Sequence, residues 1–208
     1  DIAASDCSYG MDRFVCARAD VLSWSEDGQY IFHEQSMDAL EHHEIIFGDN
    51  AFIAVGRNGR RSISYNGQTW HTETTHGLGD DYHDALFAQG YYVAVGGKDR
   101  FLVSWSIDGL SWQDKLFPPV LGARMNTVIF DGQRYIISGS GTNGENILYT
   151  TDFQLWDPLR QSDPSLRMTI LGYLNQNYLG IGIQNNQSGL YLSADGQSWQ
   201  LVHTIPND

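Results

Sequence analysis

Long apolar runs are missing from this chain of 208 residues, so the sequence offers no segment of the ~18 residues or more that a membrane-spanning helix needs. Cysteine is almost absent. Cys7 and Cys16 have no second pair and no His-x-x-x-His beside them, which excludes a zinc finger. Positive charge is also scarce, with 12 Lys plus Arg against 25 Asp plus Glu. The resulting net charge of -13 repels polyphosphate and argues against nucleic acid as a partner. Neither a Gly-x-Ser-x-Gly elbow nor a Gly-rich phosphate loop occurs, so serine-nucleophile and phosphate-loop chemistries have no support. Few stretches carry a helical period. No signal-peptide pattern stands at Asp1, which is expected of a processed form and equally of a cytosolic chain.

What is present is β-forming and repetitive. The 22 glycines punctuate runs of Val, Ile, Tyr, Phe and Trp, which points to an all-β class. Five segments share a pattern: Ser25-Glu26-Asp27-Gly28, Ser64 to Trp70, Ser106 to Trp112, Thr150 to Trp156 and Ser193 to Trp199. Their Asp or Asn positions, Asp27, Asn66, Asp108, Asp152 and Asp195, recur at intervals of 39, 42, 44 and 43 residues. Asp-Gly or Asn-Gly between two β-runs is a strong hairpin signal, because the side chain bonds turn amides and glycine supplies the positive φ. A following Trp can fold over the turn, so Trp70, Trp112, Trp156 and Trp199 are expected to be structural, with the five Asp/Asn residues.

Upstream of each turn lies an apolar run such as Phe52 to Gly56, Tyr92 to Gly96, Tyr135 to Gly139 or Tyr178 to Gly182, fitting a strand buried on both faces. A shorter run and a turn precede it. Each copy therefore reads as four antiparallel strands, A to D, with the Asp/Asn turn between C and D. One such unit cannot bury both faces, so the copies are expected to stack around an axis as a five-bladed β-propeller. The copies are 1–36, 37–76, 77–118, 119–161 and 162–208, forming one domain. Cys7 and Cys16 fall on strands A and B of the first copy, within reach of a disulfide; two buried thiols are the alternative. A disulfide favours a secreted, periplasmic or cell-surface location.

The motif Ser/Thr-x-Asp-Gly-x-x-Trp resembles the Asp-box, or bacterial neuraminidase repeat, and the resemblance covers all five copies. The chain departs from that consensus at Ile31 in place of Trp, Asn66 in place of Asp and Phe153 in place of Gly. The resemblance implies a propeller whose C–D turns line one face and whose ligands meet the opposite face, built from D–A and B–C loops. It does not imply sialidase activity: no Arg-Ile-Pro occurs, and five blades are one short of the usual sialidase ring.

On the opposite face, Glu41-His42-His43-Glu44 aligns with Asp80-Asp81-Tyr82-His83-Asp84, so His43 matches His83 and Glu44 matches Asp84; Asn126 is the next counterpart. His43 and His83 with the two carboxylates are candidates for a divalent metal ion. Glu44 and Asp84 are also a candidate catalytic pair for glycoside hydrolysis. Solvated loop ends, made alike by the repeat, are the plainer reading. Arg57, Arg60, Arg61, Lys98 and Arg100 form a candidate basic spot for an acidic sugar, and Tyr82 and Tyr91 candidate stacking surfaces. Asn186-Gln187-Ser188 is a glycosylation triplet. Three functions compete: a non-catalytic recognition module for a glycan or protein, a glycan-processing hydrolase, and a structural or assembly protein of a cell surface or phage particle.

Overall fold

The computed structural model describes residues 4–18, 21–29, 33–36, 42–74, 79–141 and 146–206. Its chain forms five antiparallel sheets, each of four strands in sequence order. Each sheet falls within one of the five copies. The first comprises β1 (Asp6–Gly10), β2 (Arg13–Arg18), β3 (Val21–Ser25) and β4 (His33–Ser36). The second comprises β5 (His42–Gly48), β6 (Ala51–Gly56), β7 (Arg60–Ser64) and β8 (His71–Thr74). The third is β9 (Tyr82–Ala88), β10 (Tyr91–Gly96), β11 (Leu102–Ser106) and β12 (Gln113–Leu116). The fourth is β13 (Arg124–Phe130), β14 (Tyr135–Ser140), β15 (Ile147–Thr150) and β16 (Asp157–Pro158). The fifth is β17 (Arg167–Leu174), β18 (Asn177–Gln184), β19 (Gln187–Ser193) and β20 (Gln200–Ile205). A single 3-10 turn, Arg57–Gly59, is the only helical segment among the described residues. This is a five-bladed β-propeller fold.

The innermost strands β1, β5, β9, β13 and β17 pack in succession, each on the next. Between blades lie four apolar joints. Val15, Ala17 and Leu22 meet Phe52 and Ala54 at the first. Ile53, Val55 and Ile63 meet Tyr92 and Ala94 at the second. Val93, Val95 and Trp105 meet Tyr135 and Phe153 at the third, and Ile136 and Ile147 meet Ile170 and Tyr178 at the fourth. Such continuous burial explains why the second strands of the middle blades read as unbroken apolar runs.

Every blade also carries a cross-strand aromatic pair on its upstream face. The pairs are Tyr9–Phe14, Phe47–Phe52, Phe87–Tyr92, Phe130–Tyr135 and Tyr173–Tyr178, with centroids 4.6–4.9 Å apart. In the second and third blades the pair lies directly against the end of the preceding inner strand. A Cβ on Gly10 would run into the Phe47 ring, and one on Gly48 into the Phe87 ring, so glycine is required there for close approach. Where the B-strand aromatic is Tyr, its hydroxyl ties the blades together: Tyr92 donates to the Gly48 carbonyl, Tyr135 to that of Ala88 at 2.7 Å, and Tyr178 to Asp131 Oδ2 at 2.7 Å.

The repeated turns form the expected network. Asp108 Oδ1 accepts the amides of Leu110 (2.8 Å) and Ser111 (2.7 Å), and Ser106 Oγ accepts that of Gly109 (2.9 Å). Asp152 and Asp195 do the same for Gln154 and Leu155, and for Gln197 and Ser198. Asn66 does so with its amide oxygen for Gln68 and Thr69, and Asp27 accepts the Gln29 amide. These bonds hold Asp195 down to about 2 and lower Asp108 and Asp152 as well. Trp112 Nε1 donates to the Gly109 carbonyl at 2.9 Å, Trp156 Nε1 to that of Phe153 at 3.3 Å, and Trp70 is buried in the first joint. Trp199 packs against the fourth joint. Ile31 lies outside the described residues.

Cys7 and Cys16 face each other across β1 and β2 and form a disulfide. No helix among the described residues is long and apolar enough to cross a membrane.

Candidate functional site

The described parts of the D–A and B–C connections lie at the end of the blades away from the Asp/Asn turns. There the inner strands share an irregularity. The pairing of β5 with β6 skips His43, that of β9 with β10 skips His83, and that of β13 with β14 skips Asn126. The three residues aligned by the repeat are thus each the extra residue of a β-bulge. Bulges turn a side chain out of the regular alternation and recur beside functional sites. The two histidines are close enough that the charge of His43, together with Arg124, lowers the pKa of His83, after burial as the larger cause. A cation beside His83 disfavours a second cation. Among the described residues no group of three or more His, Cys, Asp or Glu is arranged to hold a metal ion.

One residue inward, Asp6, Glu44 and Asp84 occupy equivalent positions on successive inner strands. They serve the joints between blades. Asp6 Oδ2 accepts the amide of Ile45 in the next blade at 3.0 Å, and Asp84 Oδ2 accepts that of Val128 at 2.7 Å while Oδ1 accepts that of Ala85. Burial pushes Glu44 up to about 9, helped by its hydrogen bond to Asp6 and the charges of Asp6 and Asp84. Burial likewise raises Asp84 to about 6 against the lowering effect of its two amide donors. Glu44 is therefore protonated at neutral pH. Asp84 has both oxygens engaged by backbone donors, which leaves it poorly placed as a nucleophile or base.

Several sequence expectations need correction. Tyr82 is fully buried, its hydroxyl 2.7 Å from Ser104 Oγ, and offers no stacking surface. The β9 register turns it into the second joint, opposite in orientation to the bulged His83. Tyr91 starts β10 on the Asp/Asn-turn side, where its ring meets Phe153 at 5.1 Å. Two of the basic residues are already paired with carboxylates. Arg61 is buried, its Nη1 3.0 Å from Asp114 Oδ1 and its guanidinium over the Trp112 ring. Arg100 Nε lies 3.6 Å from the buried Asp80. Arg57 is exposed in the 3-10 turn, Arg60 opens β7 half-buried, and Lys98 is exposed while its amide donates to Asp80.

Sequence reading missed a recess on this side. A cavity of about 610 Å³ opens between the fourth and fifth blades. Pro158, Leu159, Pro164 and Leu166 give it an apolar wall, and Arg160 and Arg167 a polar one. The segment after β16 creates it by leaving the sheet after two residues and folding back along the next blade, where the Ser162 amide donates to the Gln197 carbonyl at 3.0 Å. The unusual shortness of β16 was the available signal, in Asp157-Pro158 and the later Pro164.

No family model matches the chain, and no curated protein matches it. Solved structures do share its fold. A computationally designed propeller, Ika8, superposes with a TM-score of 0.65 at 13% identity, covering 96% of this chain and 60% of that one. YCF48 bound to D1 peptide gives a TM-score of 0.65 at 15% identity, with 95% and 66% covered. The extracellular domain of the putative one-component system BT4673 from B. thetaiotaomicron gives 0.60 at 11% identity, with 90% and 26% covered. The chain thus spans about 60% of the length of that designed propeller and 66% of YCF48.

Proposed function

We propose that the chain is a non-catalytic recognition module that binds a peptide segment of another protein on its loop face, in the cleft between the fourth and fifth blades. The cleft carries this reading. Its volume suits several residues of extended chain, its wall is rich in proline and leucine, and the exposed Arg167 suits a carboxylate of the ligand. The fold neighbours support it: YCF48 was solved with a peptide, and another neighbour is an extracellular domain. The Cys7–Cys16 disulfide and that neighbour together favour a secreted, periplasmic or cell-surface location.

A glycan as ligand rests on less, since Arg61 is buried against Asp114 and Tyr82 is buried. The hydrolase reading with Glu44 and Asp84 is weakened by the bonds of Asp84 to Ala85 and Val128. A role in assembly is one form of protein recognition. The test is a random peptide array and a glycan array probed with the purified chain and with Arg167→Ala. Selective peptide binding that falls at least tenfold in the variant supports the proposal. Binding to glycans alone, or peptide binding indifferent to Arg167→Ala, overturns it.

A further inference from the structure

The second turn is built round Asn66, where the others have Asp27, Asp108, Asp152 and Asp195. Its network is nonetheless that of a carboxylate. Asn66 Oδ1 accepts the amides of Gln68 and Thr69, both at 2.9 Å, and the hydroxyls of Ser64 and Thr69, both at 3.2 Å. The Arg13 guanidinium of the first blade lies against the same residue. Its Nη1 donates to the Asn66 carbonyl at 2.7 Å, and its Nε is buried without a partner.

The amide that follows differs too. In each of the other turns it donates at 2.9 Å to the Ser or Thr that opens the turn: Gly28 to Ser25, Gly109 to Ser106, Phe153 to Thr150 and Gly196 to Ser193. Gly67 makes no such bond to Ser64, whose hydroxyl donates to Asn66 Oδ1. The side-chain carbonyl of Asn66 is thus gripped by several donors, beside a main-chain nitrogen that the turn leaves unheld. Donors around a carbonyl oxygen stabilise the negative charge that gathers there when a nucleophile adds. Glycine sets no side chain in the way of that addition.

We infer that Asn66 is a site of spontaneous deamidation, which converts the second turn into an aspartate turn like the others. The Gly67 nitrogen adds to Asn66 Cγ and gives up its proton. A Cγ–N bond forms and closes a cyclic imide, the Cγ–Nδ2 bond breaks, and Nδ2 leaves as ammonia with that proton. Asn66 is exposed, so water reaches the ring and opens it. Addition of water at Cγ restores the main chain and leaves a carboxylate on the side chain. Addition at the main-chain carbonyl leaves an isoaspartyl link. No oxidant or cofactor takes part. The carboxylate makes the same bonds with a charge-assisted acceptor and places a negative charge beside Arg13.

Peptide mapping by mass spectrometry tests this on the full chain held in mildly alkaline buffer made with heavy-oxygen water, which labels each conversion as it occurs. Asn58-Gly59 lies in the 3-10 turn and serves as the internal comparison. The chain unfolded in urea gives the rate of each pair without the fold. In the folded chain, conversion at Asn66 is expected to outrun both that at Asn58 and its own rate in urea by about tenfold or more. Thr69→Val and Arg13→Met, each checked by circular dichroism, should slow conversion at Asn66 and leave Asn58 unchanged. Asn66→Asp should melt above the wild type. A rate at Asn66 in the folded chain equal to or below its rate in urea overturns the inference, and that comparison stands even where a variant fails to fold. Folded variants that convert as fast as the wild type overturn it as well. So does Asn66→Asp melting below the wild type, since the turn would then favour the amide.

Discussion

Asp84 of the third blade accepts the backbone amide of Val128 in the fourth at 2.7 Å, so one carboxylate beside the bulge of its own strand anchors the next blade. Each inner strand is the edge of its sheet and leaves amides on one side that no β-ladder satisfies. A side chain must reach them, because a buried donor without a partner costs about 1–3 kcal/mol. Removing the acceptor in Asp84→Ala is expected to lower unfolding free energy by about 1–3 kcal/mol. Urea denaturation at neutral pH measures it.

Glu44 has the opposite electrostatic standing. Its folded-state value near 9 lies above its ordinary 4.5, so the folded chain holds a proton there that the unfolded chain has released. Between those two values, stability contributed by this group falls as pH rises. In Glu44→Gln that fall should disappear. The variant is expected to gain on the wild type progressively from pH 5 to pH 9 in chemical denaturation. A constant difference across that range would mean that Glu44 is ionised in the fold.

Phe153 stands at φ 60° where the four other turns have glycine with a similar angle, yet it is buried and stacked on Trp105 with ring centroids 5.1 Å apart. Left-handed backbone costs a non-glycine residue about 1–2 kcal/mol. Deleting a buried phenylalanine costs about 3–5 kcal/mol. Packing therefore outweighs strain, and Phe153→Gly is expected to destabilise the chain despite restoring the repeat's usual residue. A rise in melting temperature would reverse that ranking.

Arg61 and Asp114 pair in the second joint with both side chains buried. Breaking one side of such a pair costs about 3–5 kcal/mol, mostly because the partner is left charged and dry. Arg61→Met should show that loss, and Arg61→Met with Asp114→Leu should recover much of it. Equal destabilisation in the single and double variants would show that the pair is not coupled.

Comparing chain and structure, the period of the turns, the four strands of each blade and the cross-strand cysteines were legible in advance, because hairpin chemistry and strand burial are local. The aligned pair His43 and His83 was legible too, though not the β-bulges that set it apart. Tyr82 was misread, since one residue of register decides whether a side chain faces a loop or a joint. The cleft beside Arg160 and Arg167 left only Pro158 and Pro164 as a signal, because it depends on where β16 stops and on what the following segment leans against.

Local sequence alone determined that this chain would make five similar four-stranded units pinned by Asp/Asn turns, since each such turn closes through contacts within a few residues. Tertiary structure decided which apolar faces find a neighbour. Tyr82 and His83 are neighbours in sequence, but one is buried in a joint and the other is the extra residue of a bulge, because burial depends on register and on what the next blade brings against it.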